Sequence, residues 1–181
     1  MMSSTELYKI TQSGRIILYQ EFKNSHRSAS FVWSNLWKYY CKDRIAELKN
    51  RDGFEYHSPA SDEDFQMVWG LHKNKEINKS VRAVLMSTFD YVVLEKEYFQ
   101  RYFDDVLKYA EYFPVGSLIE QAHAILQLKS KNLIGVCWNQ TSVNADMWWS
   151  GKQSSNIKDF EYWYLYHYLE KIYSEEMKSE E

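Results

Sequence analysis

Fifteen tyrosines, nine phenylalanines and seven tryptophans make this 181-residue chain 17% aromatic, and rings in such number dictate how it must pack. Each ring brings a large apolar surface that has to be buried, stacked or covered by a partner. Where rings recur every three or four positions they mark one face of a helix, and where they alternate they mark a strand. Tyr and Trp also carry a polar tip, so they suit cores, interfaces and stacking platforms equally well.

Read along the chain, this spacing gives an α+β fold. Residues 6–22 form a β-hairpin about the turn signal Ser13-Gly14, with Leu7, Tyr8 and Ile10 before it and Ile16 to Tyr19 after it. The polar stretch Lys23 to Ser28 caps a helix from Ala29 to Leu48, whose face carries Trp33, Leu36, Trp37, Tyr40, Cys41 and Ile45. After a loop marked by Gly53 and Pro59, Ser61 or Asp62 opens a second helix with Phe65, Val68, Trp69 and His72 on its inner side. The apolar run from Arg82 to Thr88 reads as a buried strand, and a shorter extended piece follows from Tyr91 to Leu94. Helices follow over Glu97–Tyr112 and Ser117–Leu128, then an interior strand over Leu133–Trp138. From Asp159 to Lys178 alternating tyrosines compete with a helical Leu165, Leu169 and Ile172, and length favours a helix. The expected architecture is a small mixed or antiparallel sheet packed against four to five helices. Residues 1–174 form one domain and 175–181 a charged, frayed tail.

The totals narrow the function classes. A chain of this length buries roughly 70% of its unfolded surface, so its core needs neither a disulfide nor a metal. Net charge is −3 and the pI about 6.0, which disfavours a dedicated nucleic-acid binder. The N-terminal residues are polar, and no run approaches the ~20 apolar residues of a membrane span. With only Cys41 and Cys137, the expectation is a cytoplasmic protein without membrane contact.

Phosphate-cradling glycine loops, CxxC pairs, HExxH and Gly-x-Ser-x-Gly are all missing from the sequence, so no cofactor and no metal is implied. Cys137 precedes Trp138, as in some thiol nucleophiles, but those cysteines open helices and this one lies in a strand pattern; it reads as structural. The five histidines are scattered, and none pairs with another at metal-ligand spacing.

Two polar segments remain as candidate binding sites. His26, Arg27 and Ser28 stand at a helix start, where free N–H groups, an arginine and hydroxyls suit a small anionic ligand, although capping alone explains the serines. Asn139, Gln140, Thr141 and Ser142 leave an apolar strand and meet Trp148 and Trp149 a few residues later, inside a long polar connection over residues 139–156. The same side chains could serve only to hold the loop backbone. Lys73, Lys75, Lys79 and Arg82 form a basic cluster for a weaker, nucleic-acid reading that would also use aromatic stacking. The leading expectation is a non-enzymatic interaction protein, an inhibitor or adaptor of the kind phages and mobile elements carry, binding a protein partner through an aromatic-rich surface. The alternative is a small enzyme or ligand-binding protein built on Asn139–Ser142 with His26 and Arg27.

Overall fold

The computed structural model describes residues 4–23, 28–140 and 156–179. Strands β1 (Thr5–Thr11) and β2 (Ile16–Phe22) form the expected hairpin. Its turn closes through Thr11 N–H to the Arg15 carbonyl, 2.9 Å, with Gly14 at φ 92°, a value that favours a residue without Cβ. Next come helices α1 (Ser28–Tyr40), α2 (Lys42–Asp52), α3 (Asp62–Gly70) and α4 (Lys79–Met86), and strand β3 (Val92–Glu95). Helices α5 (Phe99–Ala110) and α6 (Leu118–Leu126) lead to β4 (Leu133–Asn139), β5 (Trp163–Tyr164) and α7 (Leu165–Ser179). The five strands lie in the order β2-β1-β4-β3-β5, antiparallel except for the β3–β5 pair. The α+β class and the mixed sheet agree with the sequence, but seven α-helices are present among the described residues instead of four to five.

Two local corrections account for most of that difference. The helix expected over Ala29–Leu48 is two helices, because Cys41 leaves helical geometry at φ −112°, ψ 32°. The stretch Arg82–Thr88, expected to be a strand, is mostly α4. Asn78 caps that helix by accepting from Ser80 N–H at 2.9 Å, and every residue from Ser80 to Met86 is buried. The second half of α4, Ala83 to Met86, is an unbroken apolar run, and so short a run reads equally as a buried strand or a buried helix. The ambiguous C-terminal segment divides: Trp163 and Tyr164 pair with Val92 and Val93 as strand, then the chain turns helical at Leu165.

Both faces of the sheet are covered. Leu7, Trp138, Val136 and Leu94 point into the main core beneath the helices, where Trp37, Tyr102 and Tyr109 are fully buried. Tyr8, Ile10, Cys137 and Val93 face the other way, onto Ile157 with Phe160 and Tyr162 at its edge. Trp33 and Phe103 are only partly buried, packed against the main core from its rim. Among the described residues no helix is long and apolar enough to cross a membrane.

Candidate functional site

Ser28 opens α1 inside a buried hydrogen-bond network. Its N–H donates to Thr5 Oγ1 at 3.4 Å, its hydroxyl lies 3.2 Å from that of Ser117, and Gln121 Nε2 donates to it at 2.6 Å. The Gln121 carboxamide oxygen accepts from the Trp138 indole at 3.1 Å, which ties the start of α1 to the end of β4 through α6. Just beyond, Asn139 Nδ2 donates to Glu6 Oε2 at 2.9 Å across the β1–β4 pair, and the Tyr8 hydroxyl donates to the same oxygen at 2.8 Å. Gln140 is buried, and its Nε2 donates to the Ser87 carbonyl at 2.9 Å; its Oε1 is buried with no hydrogen-bond partner. Of the sequence-derived candidates, Ser28, Asn139 and Gln140 are thus placed, each holding backbone or side-chain polar groups of neighbouring elements. His26, Arg27, Thr141, Ser142, Trp148 and Trp149 lie outside the described residues.

The start of α1 that this network holds also forms one wall of a groove of about 470 Å³. The first two turns of α1 contribute Ala29, Ser30 and Trp33, α3 contributes Phe65 and Trp69, and the link between α4 and β3 contributes Thr88 to Tyr91. Capping sets the α3 wall: Ser61 accepts from Asp64 N–H while Asp64 accepts from Ser61 N–H, a reciprocal box that fixes where the helix begins. Val68 and His72 then face the core, and Phe65 and Trp69, one position round the helix, stand 44% and 38% exposed over the groove.

The rings are locked against one another. Trp69 stacks on Phe89 with centroids 3.9 Å apart, while Trp33 lies 5.8 Å from Phe65 and 6.2 Å from Phe89 at steep angles. The Trp33 indole donates to Thr88 Oγ1 at 2.8 Å, and the Thr88 hydroxyl donates to the Leu85 carbonyl at 2.6 Å, so the wall and floor are coupled. Behind the stack His72 is buried edge-on to Phe89, its Nδ1 against the Trp69 carbonyl; burial lowers its pKa. Tyr91 closes the lip, 45% exposed and at φ 63°, a left-handed conformation costly for a bulky residue. Its carbonyl accepts from Trp163 N–H at 2.9 Å.

Other candidates resolve into structural roles. Cys137 is fully buried on β4 and burial pushes its thiol pKa far up, which leaves no thiolate for nucleophilic attack. Arg82 does not join a basic surface patch; it is 1% exposed, with Nε donating to the His72 carbonyl at 2.8 Å. Among the described residues no group of three His, Cys, Asp or Glu could hold a metal ion. Sequence reading assigned Phe65 and Trp69 to the core and did not single out Phe89, Asp90 or Tyr91. The signal was present in α3, where two adjacent apolar stripes make a face wider than a single core contact needs.

No protein-family model matches the chain, and neither a curated protein nor a solved structure matches it.

Proposed function

We propose that this chain is a cytoplasmic, non-enzymatic interaction protein, an inhibitor or adaptor, that captures a protein partner in the aromatic groove between α1, α3 and the Thr88–Tyr91 link. The observation that carries the reading is the groove itself: five rings line it, and Phe65, Trp69 and Tyr91 each leave more than a third of their surface to solvent. Interface hot spots favour large, rigid side chains around a pocket that an incoming group can fill and dry. These rings are held by stacking and by the Trp33–Thr88 bond, so little side-chain freedom is lost on binding. The volume also suits a small organic ligand, a second reading, since such sites run to roughly 300–1,000 Å³.

A photo-crosslinking residue installed at Phe65 in the native host should trap a protein, and the same residue at Leu18, exposed on β2, should not. The trapped protein, purified, should bind the wild-type chain and lose at least ~30-fold in affinity to Phe65→Asp, the scale of a hot-spot anchor. The melting temperature of that variant should stay within a few degrees of wild type, because Phe65 is half exposed. A partner that crosslinks equally from Leu18, or binds Phe65→Asp as tightly, overturns the reading. Co-purification of a small molecule from wild type but not from Phe65→Asp would favour the second.

A further inference from the structure

Behind the groove two short segments run side by side. At one end of their contact the strained Tyr91 of the lip accepts from Trp163 N–H at 2.9 Å. Val92 then pairs with Trp163 and Val93 with Tyr164, a parallel ladder of two residues, and so short a pair holds only if its ends are pinned. Glu95, 1% exposed, supplies the far pin. Its Oε1 accepts from Tyr166 N–H at 3.0 Å, and its Oε2 accepts from His167 N–H at 3.2 Å and lies 3.0 Å from His167 Nδ1. Those amides open α7, and the His167 side chain is 66% exposed, so a buried carboxylate meets an imidazole in contact with water. The same segment backs the groove floor. Trp163 lies 6.2 Å from Phe89, and Tyr168 lies 4.5 Å from Trp163 and 6.1 Å from His72, which stands edge-on to Phe89.

We infer, building on the aromatic groove proposed above, that Glu95 and His167 form a proton-operated latch that regulates it: the pair pins residues 163–167, and with them the Tyr91 lip, and releases both as the pH rises. Tyr91 is the element with two states, since its left-handed backbone relaxes once the bond to its carbonyl is lost. Burial raises the Glu95 carboxyl pKa, and the bonds from Tyr166 and His167 offset only part of that. A form in which Glu95 meets water binds the proton less tightly, so proton uptake favours the pinned form and proton loss favours release. A proton on His167 acts in the same direction, because it pairs with the buried charge. Around the pair, β4 sets the uncharged Gly135 opposite Glu95, and the turn Lys96–Tyr98 brings Lys96, Glu97 and the Tyr98 ring, 5.9 Å from His167. Tyr164 of β5 lies 5.7 Å from His167 and feels the charges of Glu95 and Glu97. On α7, Glu170 and Lys171 follow one turn on, and Glu170 is held by Arg101 of α5 at 2.6 Å and Lys79 of α4 at 3.8 Å. Among the described residues His167 is the one side chain bonded to the Glu95 carboxylate.

Amide hydrogen exchange of the full-length chain, followed by NMR and corrected for the intrinsic pH dependence of exchange, tests the latch at the Trp163 N–H. Its protection should fall about fivefold or more from about pH 5 to about pH 8, while the amides joining β1 to β4 keep theirs. Glu95→Gln, which keeps the shape and loses the titration, should flatten the response. His167→Ala changes an exposed position, so it folds even where Glu95→Gln does not, and it should displace the midpoint. A flat Trp163 profile in wild type, an unmoved midpoint in His167→Ala, or an equal fall at the β1–β4 amides overturns the latch. The crosslinked partner separates the latch from the groove. The same pH profile of affinity for wild type and His167→Ala, with Phe65→Asp still weak, leaves the groove standing and refutes the latch, whereas crosslinking away from the groove removes both.

Discussion

Tyr91 holds a left-handed backbone that costs an ordinary side chain about 1–2 kcal/mol, at the lip of the groove and next to Asp90. Strain of this kind persists where surrounding structure over-determines it, and here β5 does so by bonding the Tyr91 carbonyl. Asparagine adopts this conformation readily, so Tyr91→Asn should leave stability unchanged or raise it by up to ~1 kcal/mol in urea titration while weakening partner binding. A clear loss of stability would instead make the ring a packing residue. Gly135 is constrained for a different reason: a Cβ there would lie 2.1 Å from the Leu94 carbonyl oxygen, which is backbone and cannot swing away. Gly135→Ala should force β3 from β4 and cost on the order of 3 kcal/mol, read from the shift in urea midpoint.

Among the elements, α3 shows how much a short sequence signal can carry. Ser61 or Asp62 was legible as the start of the helix; Ser61 is the cap, and Asp64 completes a capping box with it. Asp64 is 1% exposed; burial alone would raise its pKa, but hydrogen bonds from Arg44, Ser61 and the Ala60 and Ser61 amides outweigh this and hold it below its ordinary 3.8. A depressed folded-state pKa stabilises the fold above the unfolded value, and that contribution is lost as the pH falls through the folded value. Asp64→Ala should therefore cost about 1–2 kcal/mol at pH 7, and the difference from wild type should shrink steadily below pH 4. Urea titrations at several pH values would show it, and a pH-independent difference would refute the ionic share. By contrast α4 was illegible, since it is only two turns long and its Ala83–Met86 half is apolar throughout, which spacing alone does not tell from a buried strand. The break at Cys41 was hidden because no Gly or Pro announces it. The groove was half legible. Trp33, Phe65 and Trp69 stood out as helix-face rings while Phe89 and Tyr91 did not, and the exposure of all five depends on the angle of α3 to α1, which one-dimensional spacing does not encode.

Across the whole molecule, the three described site candidates, Ser28, Asn139 and Gln140, bond to groups of neighbouring elements. Thr5, Ser28, Ser117, Gln121 and Trp138 link β1, α1, α6 and β4 through one buried chain of hydrogen bonds. Such a network fixes a unique arrangement only when all members are present, because each would otherwise bury an unsatisfied group. Outside it, the outer strand β2 is interrupted by a bulge between its pairings to Leu7 and Tyr8 and carries the exposed Glu21, two devices that discourage strand-on-strand association. The sheet order has a consequence for how the molecule is made. On one side β1 finds its neighbour β2 within a few residues, but on the other it must wait for β4, which begins only at Leu133. With translation at ~5–20 residues per second, the bare flank of β1 stays unpaired on the ribosome for roughly 6–24 s while the intervening helices are synthesised. During that interval the β1 backbone groups that will pair with β4 have only water to bond, and Leu7, Tyr8 and Ile10 await the later segments that bury them.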